Sequence, residues 1–309
     1  MRHSVTTALT LAVTLAACGG SSGGNAAPPA NAVSATPANP AVPPAPPAVG
    51  TAASTLIDAA RPADWRLVWH DEFDQVGGSD LPDPSKWDYD TWGNQAGWPN
   101  NEQQYYARAR RENSRIENGM LVIEARKERL DSAADYGGQA YTSARLVTRG
   151  KQDWLYGFVE IRAKLPCGVG TWPAFWTLGS GGKWPDDGEI DIMEHVGRNK
   201  GEVLGTIHTL AYNHTNNTHL GTSIRNDTVC DTFHRYQLTW TATQIKIGVD
   251  DKSYFQFNNP GGGDRAKWPF DRPQYLLLNI AMGGMLGGPV SDAALPARME
   301  IDYVRVWQP

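Results

Sequence analysis

The chain has 309 residues, a formal net charge of −5, 40% hydrophobic residues and 20% charged residues, the proportions of a soluble globular protein. With no basic excess, the balance argues against a nucleic-acid binder, and no apolar run reaches the roughly 18 residues of a membrane-spanning helix. None of the 12 Trp, 11 Tyr and 7 Phe precedes Trp65, and no Asp, Glu, Lys or Arg lies between Arg2 and Asp58. The opening segment therefore cannot share a core with the rest.

Met1-Arg2-His3 gives a positive start, and Ala8 to Ala17 is an apolar stretch of signal-peptide length. Leu15-Ala16-Ala17-Cys18 resembles the box that precedes the lipidated cysteine of bacterial lipoproteins. The resemblance implies a signal peptide over 1–17 and an exported protein anchored to the cell envelope, at the outer membrane or cell surface. The lipid on Cys18 would be its sole membrane contact. An ordinary signal peptide with a chance cysteine is the alternative. Residues 18–63 are rich in Ala, Pro, Gly, Ser and Asn. They bury too little apolar surface to offset ordering entropy, and a disordered tether is expected. Export leaves Cys167 and Cys230 as a pair in an oxidising compartment, which fits one disulfide better than a metal site. Two separate buried thiols remain the alternative.

From Trp65 onward, short alternating segments recur between Gly, Pro, Asn and Asp. In chain order they are 66–73, 115–127 with a break near Asn118-Gly119, 141–148, 158–165, 171–178, 188–195, 203–209, 236–241, 244–249, 253–257, 275–281 and 298–307. The segment 158–165 is the clearest: Val159, Ile161, Ala163 and Leu165 share one face, and Glu160, Arg162 and Lys164 the other. No segment shows sustained helical periodicity, and there is no internal repeat. About a dozen strands imply a single all-β domain over 64–309, a two-sheet sandwich or a barrel.

Gly188-Glu189-Ile190-Asp191-Ile192-Met193-Glu194-His195 is the most informative stretch. On a plain strand Glu189 and Asp191 share a face and Glu194 points opposite. One extra residue in a bulge near Ile192-Met193 turns Glu194 back onto their face. Ile190 then faces the core. Three unpaired acids in a row repel one another, so stability alone gives no reason for them. Such a row suits glycoside hydrolysis, in which one carboxylate attacks the anomeric carbon and a second, kept protonated, donates to the leaving oxygen. An acidic strand edge or a carboxylate metal site is the bland alternative. Trp172 and Trp176 share a face of the preceding strand, and Trp184 leads into the row. Indole faces stack on the apolar faces of sugar rings, although a strand Trp is as often core packing.

The segment Gly-Glu-Ile-Asp-Ile-Met-Glu-His-Val-Gly over 188–197 closely resembles the signature of glycoside hydrolase family 16, in its laminarinase-like branch. Leu67 to Asp74, Gly97 to Tyr106, Tyr141 to Arg145, Gly205 to His208 and Ile301 to Val306 resemble further family motifs in the same order, so the resemblance covers almost all of 65–309. It implies a concanavalin-like β-jelly-roll sandwich of two antiparallel sheets with a concave substrate cleft. The implied activity is retaining endo-hydrolysis of laminarin-like β-1,3-glucans, in a monomer that needs no cofactor for catalysis. Matched by motif, Glu189 is the nucleophile, Glu194 the general acid/base and Asp191 the assisting acid. Arg145, His208 and an Asn of the Asn100-Asn101 pair match substrate contacts. Glu72, Gly119 and Asp302 match ligands of a structural Ca²⁺ away from catalysis. Two departures stand out. Leu286 lies where the family often has a cleft Trp, and Pro99 replaces a Gly. His195 is expected to face away from the row. His214 and His219, in a Thr/Asn-rich loop, are expected at the solvent surface. Another β-glucan or galactan endo-hydrolase, a transglycosylase, and a non-catalytic β-glucan-binding lectin are the competing functions.

Overall fold

Alternating residues between turn-forming Gly, Pro, Asn and Asp become seventeen strands among the residues that the computed structural model describes, 59–74 and 80–309. The expectations for the signal peptide, for Cys18 and for most of the tether lie outside those residues. In chain order the first strands are β1 (Arg66–Asp71), β2 (Asp88–Tyr89), β3 (Gln104–Tyr106), β4 (Ser114–Glu117), β5 (Met120–Lys127) and β6 (Tyr141–Ser143). Then come β7 (Arg145–Val147), β8 (Gly157–Lys164), β9 (Thr171–Gly179), β10 (Glu189–His195), β11 (Glu202–His208) and β12 (Leu220–Arg225). The last are β13 (His234–Trp240), β14 (Gln244–Val249), β15 (Lys252–Asn258), β16 (Gln274–Met282) and β17 (Ala297–Gln308). One short helix, α1 (Gly284–Gly287), follows β16.

The strands form two sheets. The larger runs β15-β14-β13-β8-β17-β5-β6-β3, with β1 also on β17 and β4 also on β5. The smaller, which carries the site, runs β12-β11-β10-β9-β16-β7-β2. The pairing is antiparallel except for β3 and β6, which run parallel. The expected strand 141–148 is two strands because the chain changes sheets at Ala144: β6 pairs with β5, and β7 pairs with β16. Between the sheets lies one core, in which Leu121, Ile123, Phe175, Ile190, Ile192, Leu278 and Val304 have no exposed surface. The face of β8 read from alternation faces it, with Val159, Ile161, Ala163 and Leu165 all buried. The ordered fold also begins ahead of residue 64. Ala59 is 3% exposed, and its amide donates to the Asp251 carbonyl.

Candidate active site

The site is built on β10, in the middle of the smaller sheet. Glu189, Asp191 and Glu194 lie opposite His208, Thr206 and Leu204 on β11, and opposite Leu178, Trp176 and Ala174 on β9. Each neighbouring strand steps by two while β10 steps by two and then three. All three acids therefore share one face, and Ile192-Met193 opposes the single residue Gly205. A side chain at Gly205 has no room, because an added Cβ would stand 2.9 Å from the Tyr254 hydroxyl and 3.0 Å from Ile247. Ile190, Ile192 and Met193 go into the core, which anchors the bulge from beneath.

The acids open onto a cleft of about 490 Å³. Trp172 Nε1 donates to Glu194 Oε1 at 2.9 Å, and Trp184 Nε1 donates to Glu189 Oε2. His208 Nε2 lies 3.3 Å from Asp191 Oδ2. Burial, then the negative charge of Asp191, pushes Glu189 up to about 8, against the opposing pull of His208 and the Trp184 hydrogen bond. Glu194 rises to about 7, chiefly through burial. Asp191 rises as well, through burial and the charge of Glu194. Three carboxyls that crowded do not all ionise at neutral pH, and the protons they keep belong to the group rather than to one member. The row therefore keeps at least one proton to give at neutral pH.

The expected wall residues are distributed unevenly. Asn100, Trp172 and His208 line the cleft together with the three acids. Trp184, 40% exposed, leans over Glu189. Trp176, opposite Asp191 on the same face, and Arg145 are not among the residues that line the cleft. Trp176 donates to Asn279 Oδ1 at 2.8 Å. The Arg145 guanidinium, 7% exposed, lies 4.6 Å over the Trp176 ring and 5.2 Å over Trp98, beside Asp90 at 3.4 Å. Met285 and Leu286 of α1 line the cleft where the family pattern suggested a tryptophan.

His214 and His219 are a correction to the sequence reading. They line the cleft, with ring centroids 5.1 and 5.8 Å from that of His208. Burial lowers both, His214 to about 4, so they are neutral imidazoles at neutral pH. A short turn, His214–Asn216, folds the loop back over the sheet, capped by the Asn213 side chain. Nothing in the sequence pattern announces that turn. Glu102 was also missed. Burial raises its pKa, its carboxylate accepts from Gln104 Nε2 at 2.9 Å, and its charge raises Glu194. Its place beside Asn100-Asn101 in a motif already singled out was the available signal.

On the other side of β10, His195 is fully buried, facing away from the row as expected. Burial lowers it to about 4, and its Nε2 accepts from the Gly201 amide at 3.3 Å. Cys167 and Cys230 form the expected disulfide, Cα to Cα 5.8 Å, packed against this imidazole. Glu72 follows β1 and Gly119 precedes β5, both of which pair with β17, the strand that carries Asp302. There Glu72 is held by Arg305 at 2.7 and 2.9 Å, and Asp302 by Arg162 at 2.6 Å.

The model of glycosyl hydrolases family 16 matches residues 101–305. A β-glucanase from Rhodothermus marinus is 53% identical over 256 residues, covering 79% of this chain and 85% of the relative. The crystal structure of SCLam, a non-specific endo-β-1,3(4)-glucanase of the family, superposes with a TM-score of 0.79 at 53% identity, covering 82% of this chain and 94% of that one. The laminarinase from Rhodothermus marinus superposes with a TM-score of 0.73 at 52% identity, over 79% and 97% of the two chains. With the bulged carboxylate strand, the two-sheet sandwich and these matches together, the chain belongs to glycoside hydrolase family 16.

Proposed function

We propose that the protein is a retaining endo-hydrolase of β-1,3-glucans acting by double displacement. The observation that carries this is the β10 bulge, which turns three acids onto one face inside an open cleft and fixes both glutamates with indole hydrogen bonds. The β-glucanase, glucanase and laminarinase relatives support the linkage. Glu189 attacks the anomeric carbon while Glu194 gives its proton to the glycosidic oxygen, and the aglycone leaves. Glu194, now a carboxylate, takes a proton from water as that water attacks the glycosyl ester on Glu189, which restores both groups. Asp191, between them, holds charge and protons in balance.

Hydrolysis of laminarin, lichenan, agarose, carrageenan and xyloglucan side by side tests the substrate. Laminarin is expected fastest, and equal or faster cleavage of agarose or carrageenan overturns the reading. Azide tests the roles. Glu189→Ala with an activated aryl glycoside is expected to give the α-glycosyl azide, by attack on the face that the nucleophile has vacated. Glu194→Ala still forms the glycosyl-enzyme and is expected to give the β-glycosyl azide. Hydrolysis of polymer falls by several orders of magnitude in both. Swapped anomers by NMR reverse the assignments.

We also infer a structural Ca²⁺ at Glu72, Gly119 and Asp302. Two carboxylates and a backbone carbonyl are hard oxygen donors, and the strands next to Glu72 and Gly119, β1 and β5, both pair with β17, which carries Asp302. The cation competes there with Arg305 and Arg162. A chelator is expected to lower Tm, and an unchanged Tm with and without added Ca²⁺ removes the site.

A further inference from the structure

One large exposed aromatic ring outside the cleft lining has no part in the chemistry above. Trp92, in the segment after β2, is 59% exposed. It stands edge-on to Trp98, with centroids 5.1 Å apart. Trp98 is buried, and the Arg145 guanidinium lies over both its ring and that of Trp176. Trp176 shares its face of β9 with Trp172, the donor to Glu194. The stack Trp176, Arg145, Trp98, Trp92 thus leads from the strand beside the carboxylates to the sheet's edge. β2 is that edge strand, four positions from β10, or roughly 19 Å at about 4.8 Å per strand. Several pyranose rings fit in that span.

An indole left in water forgoes a large apolar burial. Lone exposed apolar residues are ordinary, but this ring is not alone. It is braced from one side by a buried ring that is itself clamped by a guanidinium, so stacking a ligand on it costs little side-chain ordering. The β-linked pyranose ring presents axial C–H groups on its faces, and these suit an indole.

We propose that Trp92 is a distal sugar-binding platform, stacking on a ring of a β-1,3-glucan chain whose scissile bond lies at Glu189 and Glu194. This rests on the glucanase reading. It makes the productive cleft longer than the cavity around the acids and favours internal cleavage of long chains.

The test is kcat/KM on β-1,3-gluco-oligosaccharides of increasing length for the full chain, for Trp92→Ala and for Trp92→Phe. Trp92→Ala is expected to lose activity progressively with length, least on the trimer and roughly five- to tenfold on the hexamer and longer, the fold-change that about 1–1.4 kcal/mol of stacking gives. The loss should lie mainly in KM, and Trp92→Phe should recover most of it. A purely structural role predicts a lower Tm and an equal loss at every length, and that result overturns the proposal, as does no loss on the longest substrate. If the wild-type protein leaves every β-1,3 oligosaccharide uncut, the glucanase reading itself has failed, and the platform falls with it.

Discussion

Asp191 is the residue through which the site's pH behaviour can be read. It is 4% exposed, lies between the two glutamates, and its charge helps to raise Glu189. Removing that charge with Asp191→Asn lets Glu189 ionise at lower pH. The acidic limb of kcat/KM follows ionisation of the attacking carboxylate in the free enzyme. It is therefore expected to move to lower pH, with a smaller loss of rate than either glutamate-to-alanine change. A profile whose acidic limb stays in place, or moves up, refutes this account of Asp191. Such limbs are macroscopic and report the acid group jointly. At this scale the sequence was informative where spacing alone fixes direction. Glu189, Asp191 and Glu194 could be placed on one face by counting, given a single bulge. His214 and His219 could not, because their position depends on a loop turn held by Asn213 hydrogen bonds rather than on any period.

At the scale of elements, long strands with one buried face were legible, and very short or edge strands were not. β8 and β14 alternate cleanly and end within a residue of the expected bounds, since one side of each packs against the core. β2 and β3, at two and three residues, are too short to display a period. β12, Leu-Gly-Thr-Ser-Ile-Arg, lies at a sheet edge with only Gly221 buried, so its composition reads as loop. The parallel pairing of β3 with β6 escaped for a different reason. Parallel partners are joined by long connections, and no local turn signal records them. The change of sheet at Ala144 likewise leaves no mark, because residues 142–148 are buried throughout while the hydrogen-bonding partners change. The bulge in β10 was readable because its consequence was chemical: without it, one acid of three would point into an apolar core.

For the molecule as a whole, the disulfide closes the architecture at the places where the chain leaves one sheet for the other. Cys167 lies in the connection from β8 to β9, and Cys230 in that from β12 to β13. Both connections cross between the two sheets. The bond therefore ties two crossovers together beneath His195, at the end of the catalytic strand. It spans 63 positions of sequence. In the chain-entropy model a loop of that size restricts the unfolded state by roughly 4 kcal/mol, with engineered examples often giving less. For a domain of this size each kcal/mol moves Tm by about 2–4 °C. Replacing both cysteines, Cys167→Ala with Cys230→Ala, is then expected to lower Tm by roughly 8–16 °C. A dithiol reductant should bring the wild-type protein to nearly the same value and leave the double variant unmoved. Neither sulfur lines the cleft, so hydrolysis measured well below the lowered Tm should persist. Thiol counting on unfolded, unreduced protein provides the independent check. Two reactive thiols besides Cys18, or a wild-type Tm indifferent to reductant, would show that the two sheets are held by their core and crossovers without this bond.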